Sequence, residues 1–385
     1  MSGHSRWVAV GLFCCFSLSN YLDRQLLPAL APEVLKEFGL SHTDYGWLLA
    51  VFSVSYALAA PIAGALVDRL GLTVGAALLL GAWNVVTLWT GVIATAPALF
   101  FARALLGALQ AGGVPAAGKA VAHFLPVSER ALGTACTQVG LSAGAILAPV
   151  VAGLMLPWGW RWAFVMAGLA GLLWIPAWVW FTSKLGSAGS VSDSASASKA
   201  SVLVDPRAWL LAVANVLYMS LYSLWSNWTS VFLVEQYRLP LAVANSRFAW
   251  VPPLAANLGG LAGGWLAMRW IGGGEAAEEV RYRVCRLAAL LALPTALAPG
   301  MPTPAAATGF IALSFFAVTA MSVNVYALAM DVFGPTRAGL AVALLTSSYG
   351  WMQAIFSPVV GWAVEHFGFG GVCTVAAFLP LSATG

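Results

Sequence analysis

Residues 183–206 read SKLGSAGSVSDSASASKASVLVDP, the one low-complexity stretch of the chain. Ser, Ala and Gly dominate it, which is typical of a flexible linker. Long apolar segments precede and follow this stretch, and their lengths predict six membrane spans on either side of it. The linker therefore divides the chain into an N-terminal bundle of residues 1–182 and a C-terminal bundle of residues 207–385.

The composition excludes a soluble globular protein. Of the 385 residues, 61% are hydrophobic and 8% are charged, whereas soluble domains carry about 25% charged residues. The chain therefore lacks the charge to cover a surface that faces water. We predict an all-α membrane protein with twelve transmembrane helices in two six-helix bundles. The predicted spans are 7–31, 44–70, 73–93, 96–122, 130–156, 160–182, 207–236, 241–271, 280–299, 304–332, 336–365 and 369–385.

The distribution of Lys and Arg predicts the orientation. With both termini in the cytoplasm, eleven of these cations lie on the cytoplasmic side and four on the opposite side, as the positive-inside rule requires. No cleavable signal peptide pattern is present at the start of the sequence. We expect an integral protein of a plasma membrane with both termini in the cytoplasm. Arg24, Arg103 and Lys119 are left inside predicted spans.

The two halves repeat each other weakly. HFLPVSERALG (123–133) resembles DVFGPTRAGLA (331–341), and ILAPVVAG (146–153) resembles IFSPVVGW (355–362). A parallel repeat of six spans is typical of transporters whose binding site lies between the halves near the bilayer midplane.

Asp23 and Arg24 lie side by side where the middle of the first span is predicted. Charges at this depth are costly unless they face a cavity or a partner, and they usually serve a function. Adjacent residues do not face each other on a helix, so they cannot simply neutralise one another. An ion pair that only stabilises the helix is the alternative. Tyr21 shares the face of Arg24.

Span four carries a second intramembrane arginine, Arg103. Its guanidinium matches the geometry of a carboxylate, although packing against backbone carbonyls is the alternative. Gln110 is seven residues, or two turns, further on and shares that face. Lys119 lies near the cytoplasmic end of the span, and we expect its ammonium to reach the headgroups.

Aromatic and polar side chains at depth predict a pocket for a hydroxylated ligand. Single tyrosines in a span usually serve packing, but several together suit a sugar-like molecule. The candidates are Tyr56 in span two, Tyr218, Tyr222 and Trp225 in span seven, and Asn324 and Tyr326 in span ten.

Two stretches resemble enzyme motifs but lack the residues or the structural context that those motifs require. GVPAAGKA (113–120) ends in Ala120 rather than Ser or Thr, and no strand precedes it, so a P-loop is not indicated. GLSAG (140–144) lies inside span five, where its two glycines predict close helix packing. The sequence contains no paired nucleophile and base and no metal-ligand spacing. We expect no enzyme, no metal and no cofactor.

The resemblance to a known family rests on several motifs. GALVDRLG (64–71) resembles the loop motif G-x-x-x-D-R-x-G of the major facilitator superfamily, although Leu72 and Thr73 replace the usual basic residues. Its second-half counterpart has Met268 where an acid is expected. Within the superfamily, the sequence resembles the anion:cation symporter family, which includes hexuronate and galactonate carriers. The stretches that carry this resemblance are NYLDR, RALLGALQ (103–110), KAVAHFLP (119–126), Glu129–Arg130 and GWRWAF (159–164).

The resemblance implies secondary transport of a small organic anion, most simply a sugar acid, by alternating access in a bacterial inner membrane. It assigns Arg24 to the substrate carboxylate and Asp23 to proton coupling. The family has a proton-accepting glutamate at the position of Gln110, which cannot titrate, so an uncoupled facilitator or exchanger stays open, as does a non-transporting sensor. The resemblance also assigns Gly64, Asp68, Arg69, Glu129 and Arg130 to gating. Ser347 lies near the position of a family asparagine in span eleven and is a further candidate for substrate binding.

The expected partners follow from this function. They are the anionic substrate, protons if transport is coupled, and the lipid bilayer. We expect no nucleic acid and a monomeric protein. Arg24 and Arg103 carry two positive charges and Asp23 one negative charge if all three are ionised. The net charge of one positive predicts a monoanionic substrate.

Overall fold

A computed structural model describes residues 3–126, 129–183, 202 and 204–384. These residues form helices and connecting turns, with no strand among them, which confirms the predicted all-α class. The α-helices are α1 Gly3–Phe38, α2 His42–Thr90, α3 Ala96–Gln110, α4 Gly113–Phe124, α5 Arg130–Met155, α6 Trp160–Leu172, α7 Trp174–Ser183, α8 Pro206–Tyr237, α9 Leu241–Val243, α10 Val251–Gly272, α11 Ala277–Ala292 and α12 Pro304–Ser382. Short 3₁₀ segments cover Leu156–Trp158 and Leu293–Gly300, and a π-helical segment covers Ala244–Ala249.

Three glycines interrupt the longest helices. Gly71 breaks α2 with φ 75°, and Gly334 and Gly368 break α12 with φ 68° and 65°. Glycine adopts this left-handed backbone without the steric cost that a Cβ would add. Each break falls in a gap between two predicted spans, so these three span boundaries are confirmed.

The apolar helices are suited to a bilayer. Eight helical stretches of the described chain are long and apolar enough to cross a membrane. Large apolar side chains such as Ile62, Leu261 and Ile355 are about 70% exposed on the protein surface, where hydrocarbon rather than water would solvate them. The count of twelve helices stays a prediction.

The described residues fall into two compact units. The first comprises the described parts of Met1–Leu40, Val51–Asp193 and Leu241–Ser246, and the second those of Ser41–Ala50, Ser194–Pro240 and Arg247–Gly385. Most of the predicted linker, residues 184–201 and 203, lies outside the described residues. The predicted boundaries of two six-helix bundles therefore stay a prediction.

In the first unit, α1 packs most extensively against α5. A Cβ on Gly140 would collide with the carbonyl oxygen of Cys14, and one on Gly144 would lie 2.6 Å from that of Leu18. The two backbones therefore touch, which confirms the close packing that GLSAG predicted. This crossing fixes the position of the part of α1 that carries the intramembrane charges.

The GWRWAF motif joins the start of α6 to the end of α1 and to the connection between α2 and α3. The Trp160 indole donates to the carboxylate of Glu37 on α1 at 2.5 Å. Arg161 donates to the same carboxylate and to the carbonyl oxygen of Ile93 at 2.8 Å. The Trp160 hydrogen bond, followed by the contacts with Arg161, lowers the pKa of Glu37. The motif thus holds the end of α1 against the start of α6.

In the second unit, the segment Ser41–Ala50 packs against the C-terminal part of α12. A Cβ on Gly46 would meet the carbonyl oxygen of Ser357, and one on Gly361 would meet that of His42. The imidazole of His42 also lies 2.8 Å from the carboxylate of Glu235 on α8. Small residues thus bring helices of this unit into backbone contact.

Candidate substrate site

Two arginines of the first unit converge on one aromatic ring. The guanidinium carbon of Arg24 lies 5.0 Å from the centroid of the Phe52 ring, and that of Arg103 lies 4.7 Å from the same centroid. Both distances are within the range of cation–π attraction. Arg103 is only 2% exposed. The structure thus brings together the two cations that the sequence predicted as carboxylate ligands.

The helix packing explains this convergence. A Cβ on Gly107 would collide with the carbonyl oxygen of Phe52, so α3 crosses α2 in direct contact at this point. Arg103 lies one turn before Gly107 on α3, and its side chain therefore lies beside Phe52. Arg24 approaches from α1.

Two tyrosines complete the surroundings of Arg24. Its guanidinium carbon lies 5.8 Å from the ring centroids of both Tyr21 and Tyr56. Tyr56 stacks on Phe52, with 6.1 Å between the ring centroids. The sequence predicts both tyrosines as substrate ligands, and the structure places them in the arginine cluster.

Gln110, the last residue of α3, is hydrogen-bonded to Asn20 on α1. Its side-chain Nε2 donates to the backbone carbonyl oxygen of Asn20 at 3.1 Å. The side-chain Nδ2 of Asn20 in turn donates to the backbone carbonyl oxygen of Gln110 at 3.5 Å. Its Oε1 is buried and has no hydrogen-bond partner within the described residues. The amide at this position therefore joins two helices and retains one free acceptor.

Asp23 points to a different neighbourhood from Arg24. Its carboxyl is fully buried and lies against Ser19 on its own helix and against Trp83 and Thr87 on α2. The predicted charge count had placed Asp23 together with the two arginines, whereas those guanidinium groups contact Phe52. Consecutive residues project about 100° apart on a helix, which explains the separation.

Two predicted ligands on α8 use their polar groups inside the second unit. Tyr218 is fully buried, and its hydroxyl donates to Asn215 Oδ1 at 2.6 Å. Trp225 is 1% exposed, and its indole donates to Thr295 Oγ1 at 2.9 Å. The Trp225 bond joins α8 to the 3₁₀ segment Leu293–Gly300, whereas the Tyr218 bond lies within α8. A stripe of aromatic residues along a helix does not distinguish this role from ligand binding.

The other predicted ligands of the second unit differ in accessibility. Asn324 is buried, and its amide donates to the carbonyl oxygens of Gly263 at 3.2 Å and Ala320 at 2.9 Å. Tyr222 and Tyr326 are half-buried, and Ser347 is exposed. The latter three retain accessible surface.

The predicted gating residues lie at helix ends of the first unit. Arg130 donates to the carbonyl oxygens of Leu125 at 3.3 Å and Ala122 at 3.0 Å, and so caps the C-terminus of α4. Glu129 lies 3.9 Å from the guanidinium of Arg6.

The GALVDRLG motif ends at Gly71, the residue that breaks α2. Gly64 and Arg69 are in the helix before Gly71, and Arg69 is exposed. The side chain of Asp68 lies outside what the structure describes. The Lys119 ammonium donates to the carbonyl oxygen of Val67 at 3.2 Å, so it caps this end of the helix; the predicted reach to the headgroups stays a prediction.

Sequence reasoning did not single out Phe52 or Asn20. Each lies four residues before a residue that was singled out, Tyr56 and Arg24 respectively, and so shares its helix face. Extending each candidate by one turn would have found both.

Residues 12–357 match the sequence profile of the Major Facilitator Superfamily, and the chain belongs to that family. This confirms the predicted superfamily and makes the protein a membrane transporter rather than an enzyme.

Two of the similar proteins are named as sugar-acid transporters, and one solved structure has a similar fold. A hexuronate transporter of Escherichia coli K12 is 28% identical, over 98% of this chain and 91% of the relative. A galacturonate transporter of Dickeya chrysanthemi is 27% identical, over 68% of this chain and 81% of the relative. Among solved structures, a bacterial homolog of the human lysosomal transporter Spinster has a similar fold, with a TM-score of 0.79 and 18% identity over 100% of this chain and 94% of that one.

Proposed function

We propose that this protein is a secondary active transporter that carries a sugar acid across a bacterial inner membrane by alternating access. Two relatives, one similar over almost the whole chain, are named for the transport of hexuronate and galacturonate. The observation that carries the proposal is the convergence of Arg24 and Arg103 on the Phe52 ring.

The chemistry of the cluster suits a sugar acid. A guanidinium offers a planar fork of donors that matches the two oxygens of a carboxylate. The rings of Tyr21 and Tyr56 lie near Arg24, and a tyrosine hydroxyl can form hydrogen bonds to the hydroxyls of a sugar.

Proton coupling through Asp23 is part of the proposal. A fully buried carboxylate is costly in a low-dielectric interior, and binding a proton removes that cost. Asp23 is fully buried, so a change of its surroundings during the transport cycle would change its affinity for a proton. This gives a physical basis for symport.

An uncoupled facilitator or exchanger is the second candidate function. Gln110 favours it, because an amide cannot titrate and its Nε2 is already bound to the Asn20 carbonyl oxygen. A facilitator of this kind would equilibrate its substrate and would not respond to a pH gradient.

We also propose the architecture that the family implies. Twelve helices form two six-helix bundles, residues 1–182 and 207–385, with residues 183–206 as a cytoplasmic linker, both termini in the cytoplasm and a monomer as the working unit. Gly64, Asp68, Arg69, Glu129 and Arg130 act in gating at the cytoplasmic side. The break at Gly71 and the capping bonds of Arg130 support this assignment.

Counterflow in proteoliposomes tests the proposed function. Liposomes loaded with unlabelled D-galacturonate should take up labelled D-galacturonate transiently, while protein-free liposomes should not. Competition by D-glucuronate, D-galactonate and galactarate, with acetate as the control anion, would then define the class. A protein that shows no counterflow with any of the four sugar acids would contradict the proposal.

A further inference from the structure

The surroundings of Asp23 form a buried polar pocket that is separate from the arginine cluster. Its walls are Ser19 on α1 and Trp83 and Thr87 on the second part of α2. Trp83 and Asp23 are fully buried, Thr87 is 1% exposed and Ser19 is 9% exposed. The pocket is therefore closed to bulk water.

Several polar atoms in this pocket have no hydrogen-bond partner within the described part of the chain. They are both oxygens of the Asp23 carboxyl, the Ser19 hydroxyl oxygen and the Trp83 indole nitrogen. Thr87 differs, because its hydroxyl donates to the carbonyl oxygen of Trp83 at 3.0 Å. Unmade hydrogen bonds of buried groups are costly, so groups that lie against each other in this way are expected to pair.

Charged side chains on neighbouring helices of the first unit have the following contacts. Arg24 and Arg103 lie over the Phe52 ring. On α4, Lys119 donates to the Val67 carbonyl oxygen, and the His123 ring packs on Phe124 at 4.8 Å. On α5, Arg130 caps α4, and on α6, Arg161 binds Glu37. The side chains that lie against the Asp23 carboxyl, namely Ser19, Trp83 and Thr87, are themselves uncharged.

The hydrogen-bonding capacity of the pocket fits both protonation states of Asp23. The Trp83 indole can only donate, and a serine hydroxyl can donate or accept. A carboxylate would accept from Trp83 and from Ser19. A carboxylic acid would still accept from Trp83 through its carbonyl oxygen, while its own proton would be donated to Ser19. Trp83 therefore donates in both states, and Ser19 reverses its role.

We propose that Trp83 is a positioning residue for proton exchange at Asp23, and that its indole N–H holds the carboxylate that remains when the proton leaves. The carboxylic acid releases its proton to water of the compartment to which the pocket opens, and the negative charge stays on the two oxygens. Ser19 supplies the second donor. This inference rests on the proposed proton coupling and adds the residues that make a buried carboxylate tolerable.

The test uses the pH dependence of D-galacturonate counterflow, measured at equal pH on both sides of the membrane. Trp83→Phe removes the N–H but keeps a ring against Phe16, whose centroid lies 4.9 Å away. The matched control is Trp174→Phe, because the Trp174 ring lies 5.3 Å from that of Phe16 but its indole donates to the Leu12 carbonyl oxygen. Ser19→Ala is a second variant that removes a donor without touching the aromatic cluster.

Removing a hydrogen-bond donor destabilises the Asp23 carboxylate more than the carboxylic acid, so the proton affinity of Asp23 rises. Trp83→Phe and Ser19→Ala should each bind the proton about tenfold more tightly, which moves the midpoint of the pH profile up by about one pH unit. Trp174→Phe should leave the midpoint unchanged. The double variant Trp83→Phe/Asp23→Asn should have the same pH profile as Asp23→Asn alone, because both changes act through the protonation of Asp23.

Two results would overturn the inference in different ways. If Asp23→Asn removes the pH dependence but Trp83→Phe and Ser19→Ala leave the midpoint in place, the pocket does not hold the carboxylate and the inference alone is wrong. If Asp23→Asn retains the wild-type pH profile, proton coupling at Asp23 fails, and the inference fails with it.

Discussion

The guanidinium of Arg103 is almost completely buried beside an aromatic ring. A cation in that position is stabilised by the ring and by a low-dielectric environment that strengthens its attraction for an anion. Arg24 is half-buried and lies over the same ring. A carboxylate that reaches both groups would gain two charge-assisted sets of hydrogen bonds.

Replacing either arginine by lysine should weaken sugar-acid binding. The ammonium keeps the charge but cannot form the two-pronged contact. We expect Arg24→Lys and Arg103→Lys each to cost about 2–4 kcal/mol in binding of D-galacturonate, measured by calorimetry on detergent-purified protein. Arg286→Lys, at an exposed arginine of α11, is the control. Unchanged affinity in both site variants would remove these residues from the binding site.

Gln110→Glu should create a second titrating group. In the wild type, Gln110 Nε2 donates to the Asn20 carbonyl oxygen, and a glutamate could replace that bond only in its protonated form. D-galacturonate transport should therefore become more steeply dependent on pH than in the wild type. Gln110→Met, which has no titrating group, should not steepen it. An identical pH profile for Gln110→Glu would show that this position is not linked to transport.

The residues show what sequence could and could not predict. Hydropathy locates Asp23, Arg24 and Arg103 in the membrane, because charges stand out in apolar segments. It does not predict the direction in which each side chain points. That direction depends on crossings such as Gly107 against Phe52, which involve residues distant in sequence.

At the scale of elements, the crossing of α1 and α5 depends on two glycines. A methyl group on Gly140 has no room, because the carbonyl oxygen of Cys14 occupies its position. Any shift of α1 relative to α5 would also move Ser19, Asp23 and Arg24. Stability and binding geometry are therefore linked through this crossing.

Gly140→Ala should lower the thermal stability of the purified protein. Overpacking of this kind costs about 1–3 kcal/mol, which differential scanning fluorimetry would report as a lower Tm. Gly118→Ala is the matched control, because nothing lies within 4 Å of a Cβ at that helical position. Alanine there should be neutral or stabilising by up to about 1 kcal/mol. Equal Tm values for the two variants would mean that the helices separate at little cost.

The elements themselves were the most predictable part of the fold. The lengths of the apolar runs predicted gaps that contain the breaks at Gly71, Gly334 and Gly368, although the left-handed glycines themselves were not singled out. The hydrogen bonds that Tyr218 and Trp225 form inside the second unit were not predictable. A helical stripe indicates a common face but not whether that face meets a neighbouring helix or a cavity.

At the scale of the whole molecule, the central claim is that Asp23 couples proton movement to sugar-acid transport. Family membership establishes a transporter of the superfamily, and a neutral Gln110 leaves Asp23 as the titrating residue deep in α1. One proton per monoanion would be electroneutral, so accumulation should respond to a pH gradient but not to voltage.

The most direct measurement is accumulation of D-galacturonate in proteoliposomes under an imposed pH gradient, with potassium diffusion potentials applied separately. Wild-type protein should concentrate the substrate when the outside is acidic, and this accumulation should not depend on the voltage. Asp23→Asn should still exchange substrate in counterflow but should not concentrate it. Accumulation by Asp23→Asn equal to that of the wild type would contradict the coupling role of Asp23, and a wild type that never accumulates would identify an uncoupled facilitator.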